Sequence, residues 1–419
     1  MRNRYVAVAA TAALALSVAA GCGRDSSGGS QTAKAVGEGK ASGEITVWAM
    51  GTEGEKLAAF AQAFTAENPD AKVTVTAVPW DAADQKITSA IAAKQTPDVS
   101  MIGTTMQGSV AKTGALDPTP PDLFRKDAFF PGAWDTTVVD GTSFAIPWYV
   151  ETRGIYYRTD LAAKAGFPDG ARTWDDLTAM ATALQRKAGA KWGLNLQPGR
   201  TGSWQSVLPF AWSNGADIAA GGKYRFDTPE MIDALRYYQS FFTRKLAPNN
   251  LPEGALEPAF AKGEIAAFMS GPWHVGILKD QGLKDGQFAV APMPTGKSST
   301  SFIGGSNLAV FKDARNRDAA WKFLAWLSKP DVQVKWYQTV SDLPAVQAAW
   351  TDPALATDTF LKVFGEQLKS AKAPPSYPTW TQVAAVFDTE VEKVCVGGAD
   401  PAAAMKAVQQ QADTIGTGA

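Results

Sequence analysis

The chain has 419 residues but only two cysteines and one histidine, and these shortages remove whole classes of chemistry. A lone His and so few thiols give no ligand cluster, so no metal site is expected. With His274 as the single imidazole, a Ser-His-Asp or Cys-His nucleophilic centre has no base to spare. Basic surplus is also missing. Forty Lys and Arg against 41 Asp and Glu give a net charge of −1, which leaves nothing to neutralise phosphates and excludes a nucleic-acid partner. A membrane-spanning run is lacking too: the apolar stretch Val6 to Ala20 falls short of the roughly 20 residues a spanning helix needs.

That short run has a different meaning. Arg2 and Arg4 precede it, and Val18-Ala19-Ala20-Gly21 sets small residues before Cys22, so residues 1–21 read as a secretion signal. The pattern resembles the lipobox of bacterial lipoproteins, with its usual Leu replaced by Val18 or Ala19. Acyl chains on Cys22 would then hold the mature protein at the outer face of the cell membrane; a simple secreted protein is the alternative. Losing Arg2 and Arg4 moves the net charge to −3. Residues 22–42, rich in Gly, Ser, Ala and Lys, cannot bury enough surface to order themselves and read as a lipidated, flexible linker. With Cys22 so assigned, Cys395 has no disulfide partner and reads as a small buried apolar residue.

From Gly43 onward the chain is long enough for two cored domains, and its 45% apolar and 19% charged content fits an ordinary globular protein. Glu44 to Trp48, Lys72 to Val78 and Val99 to Ile102 read as strands. Helical patterns over Glu55 to Glu67 and Asp81 to Lys94 separate them, which indicates a parallel sheet covered by helices. Ser143 to Tyr149 and Thr152 to Arg158 are extended runs suited to crossing between lobes. Thr173 is placed to cap a helix, and Asp227-Thr-Pro-Glu230 opens another. Gln287 to Ala291 and Ser301 to Phe311 are further strands, and Asp313 to Leu327 is an amphipathic helix. Fourteen tryptophans are the other surplus. Trp321, Trp326 and Trp336 lie in helical stretches and read as core. Several others sit beside Gly, Pro or Ser in expected loops, where they suggest stacking platforms.

Taken in order, Ile45-Thr-Val-Trp48 with Asn68-Pro69, Thr96-Pro-Asp-Val99, Ile146-Pro-Trp148 with Tyr156 to Leu161, Phe260 to Glu264 with Gly271-Pro-Trp273, Gly304-Gly-Ser306 and Leu343-Pro-Ala345 resemble the extracellular solute-binding proteins of bacterial ABC importers. The resemblance is to the group that includes maltose- and trehalose-binding proteins. It implies an α/β, type II periplasmic-binding-protein-like fold with two lobes, each a mixed sheet flanked by helices. Two or three crossing strands join the lobes, with the ligand cleft between them. Lobe one would comprise 43–150 and 298–340, lobe two 151–297 and 341–419. It further implies a monomer without cofactors that captures a di- or oligosaccharide, first an α-glucoside such as maltose or trehalose, and presents it to permease subunits. A secreted glycoside hydrolase and a sugar sensor without transport are the alternatives.

Sugar hydroxyls want planar polar partners and sugar C–H faces want aromatic rings. Glu53 follows the first strand, where open α/β sheets place ligands, or is a helix-start acid. Trp80 and Asp81 follow the second strand, Asp81 alternatively as a cap, and Thr104 and Thr105 follow the third. Tyr149 and Glu151 lie in the first crossing segment, Glu151 alternatively only pairing with Arg153. Trp204 sits in a turn-rich stretch. The resemblance marks Trp273, in Gly-Pro-Trp, as the strongest sugar platform, with His274 a neutral neighbour. Gly305, Ser306 and Asn307 form a loop that could hold hydroxyls, and Tyr377 or Trp380 offers a second ring.

Overall fold

The computed structural model of the chain describes residues 33–252 and 254–418; the expected signal and Cys22 lie outside them. Nine strands build two main sheets: β1 (Gly43–Met50), β2 (Ala71–Val78), β3 (Val99–Gly103), β4 (Ile146–Thr152), β5 (Gly154–Arg158), β6 (Ala267–Ser270), β7 (Phe288–Ala291), β8 (Ile303–Val310) and β9 (Leu343–Pro344). The first sheet runs β9-β4-β8-β3-β1-β2, the second β6-β5-β7. β1 pairs parallel with β2 and β3, as their spacing by helices requires, whereas β8 pairs antiparallel with β3 and β4. The chain therefore forms the expected α/β structure with a mixed sheet in lobe one, but β9, expected in lobe two, pairs with β4 at the edge of that first sheet.

The crossover helices are α1 (Gly51–Phe60) and α2 (Trp80–Ala93). α1 begins four residues ahead of its sequence pattern and gives way at Ala61 to a short helix, Gln62–Glu67. Leu57, Ala61 and Phe64 still face the core on one stripe. In lobe two, Thr173 caps α3 (Trp174–Arg186) with a reciprocal capping box to Asp176. Behind it come α4 (Trp204–Ser213) and α5 (Pro229–Thr243), the latter capped by Thr228. Lobe one is closed by α6 (Arg317–Leu327) and α7 (Pro330–Val340), lobe two by α8 (Trp380–Cys395) and α9 (Pro401–Ile415). Trp321, Trp326 and Trp336 are buried in the core, and their indole N–H groups donate to Asp117, Glu67 and Asp342. Cys395 is a buried free thiol, pushed up to about 12 by burial.

Two direct passages join the sheets, β4 into β5 through Arg153 and β7 into β8 through Phe302. They are laced to a third strand of chain at Lys372. The Thr152 hydroxyl donates to Phe302 O (2.7 Å), the Ser301 hydroxyl to Arg153 O (2.9 Å), and Ile303 N to Lys372 O (2.9 Å). These hydrogen bonds hold the three crossings side by side between the two sheets.

Three details fix lobe one. At Gly305, φ is +120° and an added Cβ would lie 2.2 Å from Tyr149 O, so only glycine fits where β8 passes β4. Asp98, 4% exposed, accepts from Thr46 N (2.8 Å), the Thr46 hydroxyl (2.7 Å) and Arg315 N (2.7 Å), tying β1 to the start of α6. The third detail differs from expectation: the linker read as free through Ser42 is held from Lys34 onward. Arg317 on α6 donates to Lys34 O (2.7 Å) and Ala35 O (3.3 Å), Gly37 N donates to Asp318 (2.9 Å), and Ala41 N donates to Asn68 (3.0 Å). Its partners on α6 lie some 280 residues further along the sequence and Asn68 lies 27 residues on, so local composition carried no sign of them.

Candidate functional site

The first three strands of lobe one end side by side, and the turns beyond them hold the expected candidates. Glu53, in the first turn of α1, is 8% exposed, and burial raises its carboxyl above the usual range, against a smaller opposing effect of the Tyr149 hydroxyl beside it. Trp80 starts α2 and is 43% exposed. Its indole lies against Gly51, where an added Cβ would meet Nε1 at 2.9 Å. Tyr149 points from β4 and accepts a hydrogen bond from the Ser306 hydroxyl (3.3 Å). Asp342, two residues past α7, joins this group and was not singled out by sequence. Trp336 Nε1 donates to it at 3.1 Å, and burial followed by the charge of Glu53 pushes its carboxyl well above the ordinary value.

Arg153, in the first crossing, connects this wall to lobe two. It is 8% exposed, lies 3.6 Å from Glu151, and donates from Nη2 to Gln205. The guanidinium sits over Trp273 at 4.8 Å and over Phe302 at 5.2 Å. Its Nη1 is buried with no hydrogen-bond partner among the described residues. A buried guanidinium N–H without a partner is costly, so Arg153 is the least satisfied of the buried charged groups at this wall. Arg153 lines a cavity of about 390 Å³ with Trp273, Gln197 and Asn250. A neighbouring cavity of about 490 Å³ brings Thr105 from lobe one against Trp204, Trp380, Asp388 and Glu392; Arg200 and Gln205 line both. Volumes of this order suit small organic ligands.

Trp273 projects at 41% exposure from the turn before the helix His274–Asp280. Its ring folds over Gly271, where a Cβ would sit 2.1 Å from the indole, so the Gly-Pro-Trp sequence supplies the space the ring occupies. His274 is bonded on both nitrogens, to Ser270 at Nδ1 (2.7 Å) and to Glu257 at Nε2 (3.0 Å). Because a carboxylate only accepts, Nε2 carries the proton and Nδ1 accepts from the serine, an arrangement complete in the neutral ring. Burial holds the His274 pKa below its ordinary value, with Glu257 opposing. With the folded value lower than the unfolded one, the unfolded chain binds more protons in the window between them. This contribution to stability is therefore full above about pH 6.5 and is lost as pH falls from there through the folded value. The thermal midpoint is expected to fall between about pH 7.5 and 5.5, and His274→Gln to flatten that fall. Equal slopes for the two proteins would remove His274 as the cause.

The remaining candidates separate. Trp204 opens α4 instead of lying in a loop, and it packs edge-on against Trp380 (5.2 Å) and Phe302 (5.1 Å). Both Trp204 and Trp380 are buried and border the cavity without offering an open face. Asp388 on α8 clamps the turn before α4 by accepting from Gly202 N, Ser203 Oγ and Trp204 N at 2.7–2.8 Å. Tyr377 leans on Tyr224 and borders a different groove, of about 680 Å³, beside the third crossing. That groove is larger, but neither Trp273 nor Arg153 lines it. Gly305, Ser306 and Asn307 lie within β8. Asn307 is 1% exposed and bonded to Thr136 and Gln107, so its amide faces the core of lobe one. Asp81 is an exposed first-turn acid with no capping bond, and Thr104 N donates to Gly305 O (3.2 Å). Among the described residues no group of three His, Cys, Asp or Glu could hold a metal ion.

The profile of the bacterial extracellular solute-binding protein family matches residues 49–334. The sugar-binding protein MalE from Xanthomonas citri superposes with a TM-score of 0.85 at 31% identity, over 89% of this chain and 97% of that one. The GacH receptor of Streptomyces glaucescens, solved unliganded and with acarbose, gives 0.75 at 25% identity, over 90% and 99%. In sequence, the chain is 29% identical to the diacetylchitobiose binding protein DasA of Streptomyces coelicolor over 77% of each chain. It is 24% identical to a galactooligosaccharide-binding protein of Bacillus subtilis over 96% of this chain and 94% of that one. These relatives are binding proteins rather than enzymes, which sets aside the glycoside hydrolase alternative.

Proposed function

The chain belongs to the bacterial extracellular solute-binding protein family, and from that premise we propose that it captures a di- or oligosaccharide for an ABC importer. The observation that carries this reading is an exposed indole at Trp273, stacked under the Arg153 guanidinium in a cavity of about 390 Å³, with a second exposed indole at Trp80. Flat rings suit the C–H faces of a pyranose, while Glu53, Glu151, Asp342 and the Arg153 guanidinium suit its hydroxyls. The relatives described above are named for, or solved with, diacetylchitobiose, galactooligosaccharide and acarbose, all saccharides or saccharide-like. An α-glucoside such as maltose or trehalose remains the first ligand to try. Closure about the three crossings would bring both walls onto the ligand, so binding energy selects the closed state that a permease can read. Tethering through acylated Cys22 completes the proposal.

Titrating the protein with a saccharide panel while following tryptophan emission tests it. A saturable change with maltose, trehalose or another oligosaccharide is expected, and calorimetry should give the same dissociation constant. A panel that leaves both emission and heat unchanged would defeat the reading.

A further inference from the structure

The cavity beside Trp273 is lined by polar groups whose hydrogen-bonding direction is already decided. Gln205 accepts from Arg153 Nη2 through its Oε1, and a guanidinium only donates, so the amide nitrogen of Gln205 is the atom left for the cavity, as a donor. Gln197 is turned the other way. Its Nε2 donates to Thr201 O (3.1 Å), which leaves Oε1 as an acceptor. Ser270 is the third such group. Its proton is spent on Nδ1 of the neutral His274 (2.7 Å), so toward the cavity Oγ can only accept. Strand register sets it close to the crossing, because Ser270 on β6 pairs with Gly154 on β5, the residue after Arg153.

The same cavity has an apolar side. Leu251, Leu256 and Met269, all half-buried, line it together with Trp273. Hydroxyls alone do not use such a wall fully. A hydroxyl rotates to donate or accept as its neighbours require, so partners of fixed direction add little for it, and it has no carbon to set against leucine and methionine. A secondary amide that ends in a methyl group uses both sides. Its N–H and C=O point to opposite edges of one plane, the first needing an acceptor and the second a donor, and the methyl is apolar.

Resting on the saccharide reading above, we infer that this cavity is a subsite for an acetamido group, so that the preferred solute carries an N-acetylated amino sugar within a di- or oligosaccharide. The Gln205 amide donates to the acetamido carbonyl, and Gln197 Oε1 or Ser270 Oγ accepts from its N–H. The methyl packs toward Leu251, Leu256 and Met269, and the pyranose lies on Trp273. A plain glucoside still binds, with hydroxyls in place of the amide, but it leaves the apolar side against water.

Calorimetry on two matched pairs decides the matter: cellobiose against N,N′-diacetylchitobiose, and maltose against its 2-acetamido-2-deoxy counterpart. Within the pair that binds, the acetamido member is expected to bind about tenfold tighter or more. Gln205→Glu still accepts from Arg153 but offers the cavity an acceptor in place of a donor, and should bring that ratio down to about one. An acetamido member that binds no tighter than its hydroxyl partner, or a ratio that Gln205→Glu leaves unchanged, overturns the subsite and leaves the saccharide reading intact. Binding of other saccharides with neither pair bound does the same. Failure of every saccharide overturns both.

Discussion

Replacing Trp273 by Ala is expected to weaken saccharide binding by about 1 to 3 kcal/mol, roughly five- to 150-fold in dissociation constant, with the fold unchanged. The ring is 41% exposed, so the folded protein keeps its core without it. A sugar stacked on it would bury that face. The loss should exceed that of Trp204→Phe, because the Trp204 ring is buried against Trp380 and Phe302 and has no open face to lose. One side effect can be separated. Arg153 stacks on Trp273 at 4.8 Å, so the truncation also loosens the guanidinium. Trp273→Phe keeps a ring under Arg153 and should recover part of the affinity. Calorimetry on the three variants checks this, and a Trp273→Ala protein that binds as tightly as the parent removes the ring from the site.

The largest effect on stability is expected away from the cleft, at Asp98. Its carboxylate accepts two backbone N–H groups and a hydroxyl within 2.8 Å, from Thr46 and Arg315, at 4% exposure. Asp98→Ala leaves those donors dry and unpaired, for an expected loss of about 3 kcal/mol or more. Asp98→Asn retains acceptors for one side only and should fall between. Urea unfolding reads this as a lower midpoint at an unchanged slope. A midpoint that does not move would mean that the join between β1 and the start of α6 contributes little.

Much of this molecule could be read from its residues, for a physical reason. Alternation in Lys72 to Val78, the Thr173 cap and the stripe through Leu57 and Phe64 are local signals, and local rules decide those elements. Trp273 was legible because Gly-Pro before it fixes the turn that frees its ring. What stayed hidden depends on distant partners. Asp342 looks like a helix-end acid until the chain folds it against Glu53 and Trp336. Arg153 looked like a mere partner for Glu151, and its open Nη1 exists only in three dimensions. Trp204 was misplaced in a loop because the turn at Gly202 masks a helix whose start is held by Asp388, 184 residues away. Asn307 follows two glycines, which suggested a loop, yet pairing along β8 turns it inward.

The clamp of Arg317 on Lys34 and Ala35 also sets the length of a leash. In the lipidated protein proposed above, residues 23–33 separate the acylated cysteine from Lys34, the first docked residue among those described. Drawn out fully at about 3.5 Å each, they reach under ~40 Å, roughly half of what a leash running to Ser42 would allow. A receptor moored so closely patrols a small patch of bilayer, with the flank of α6 kept near the lipid. On that proposal, its permease would stand within that short radius to collect the cargo.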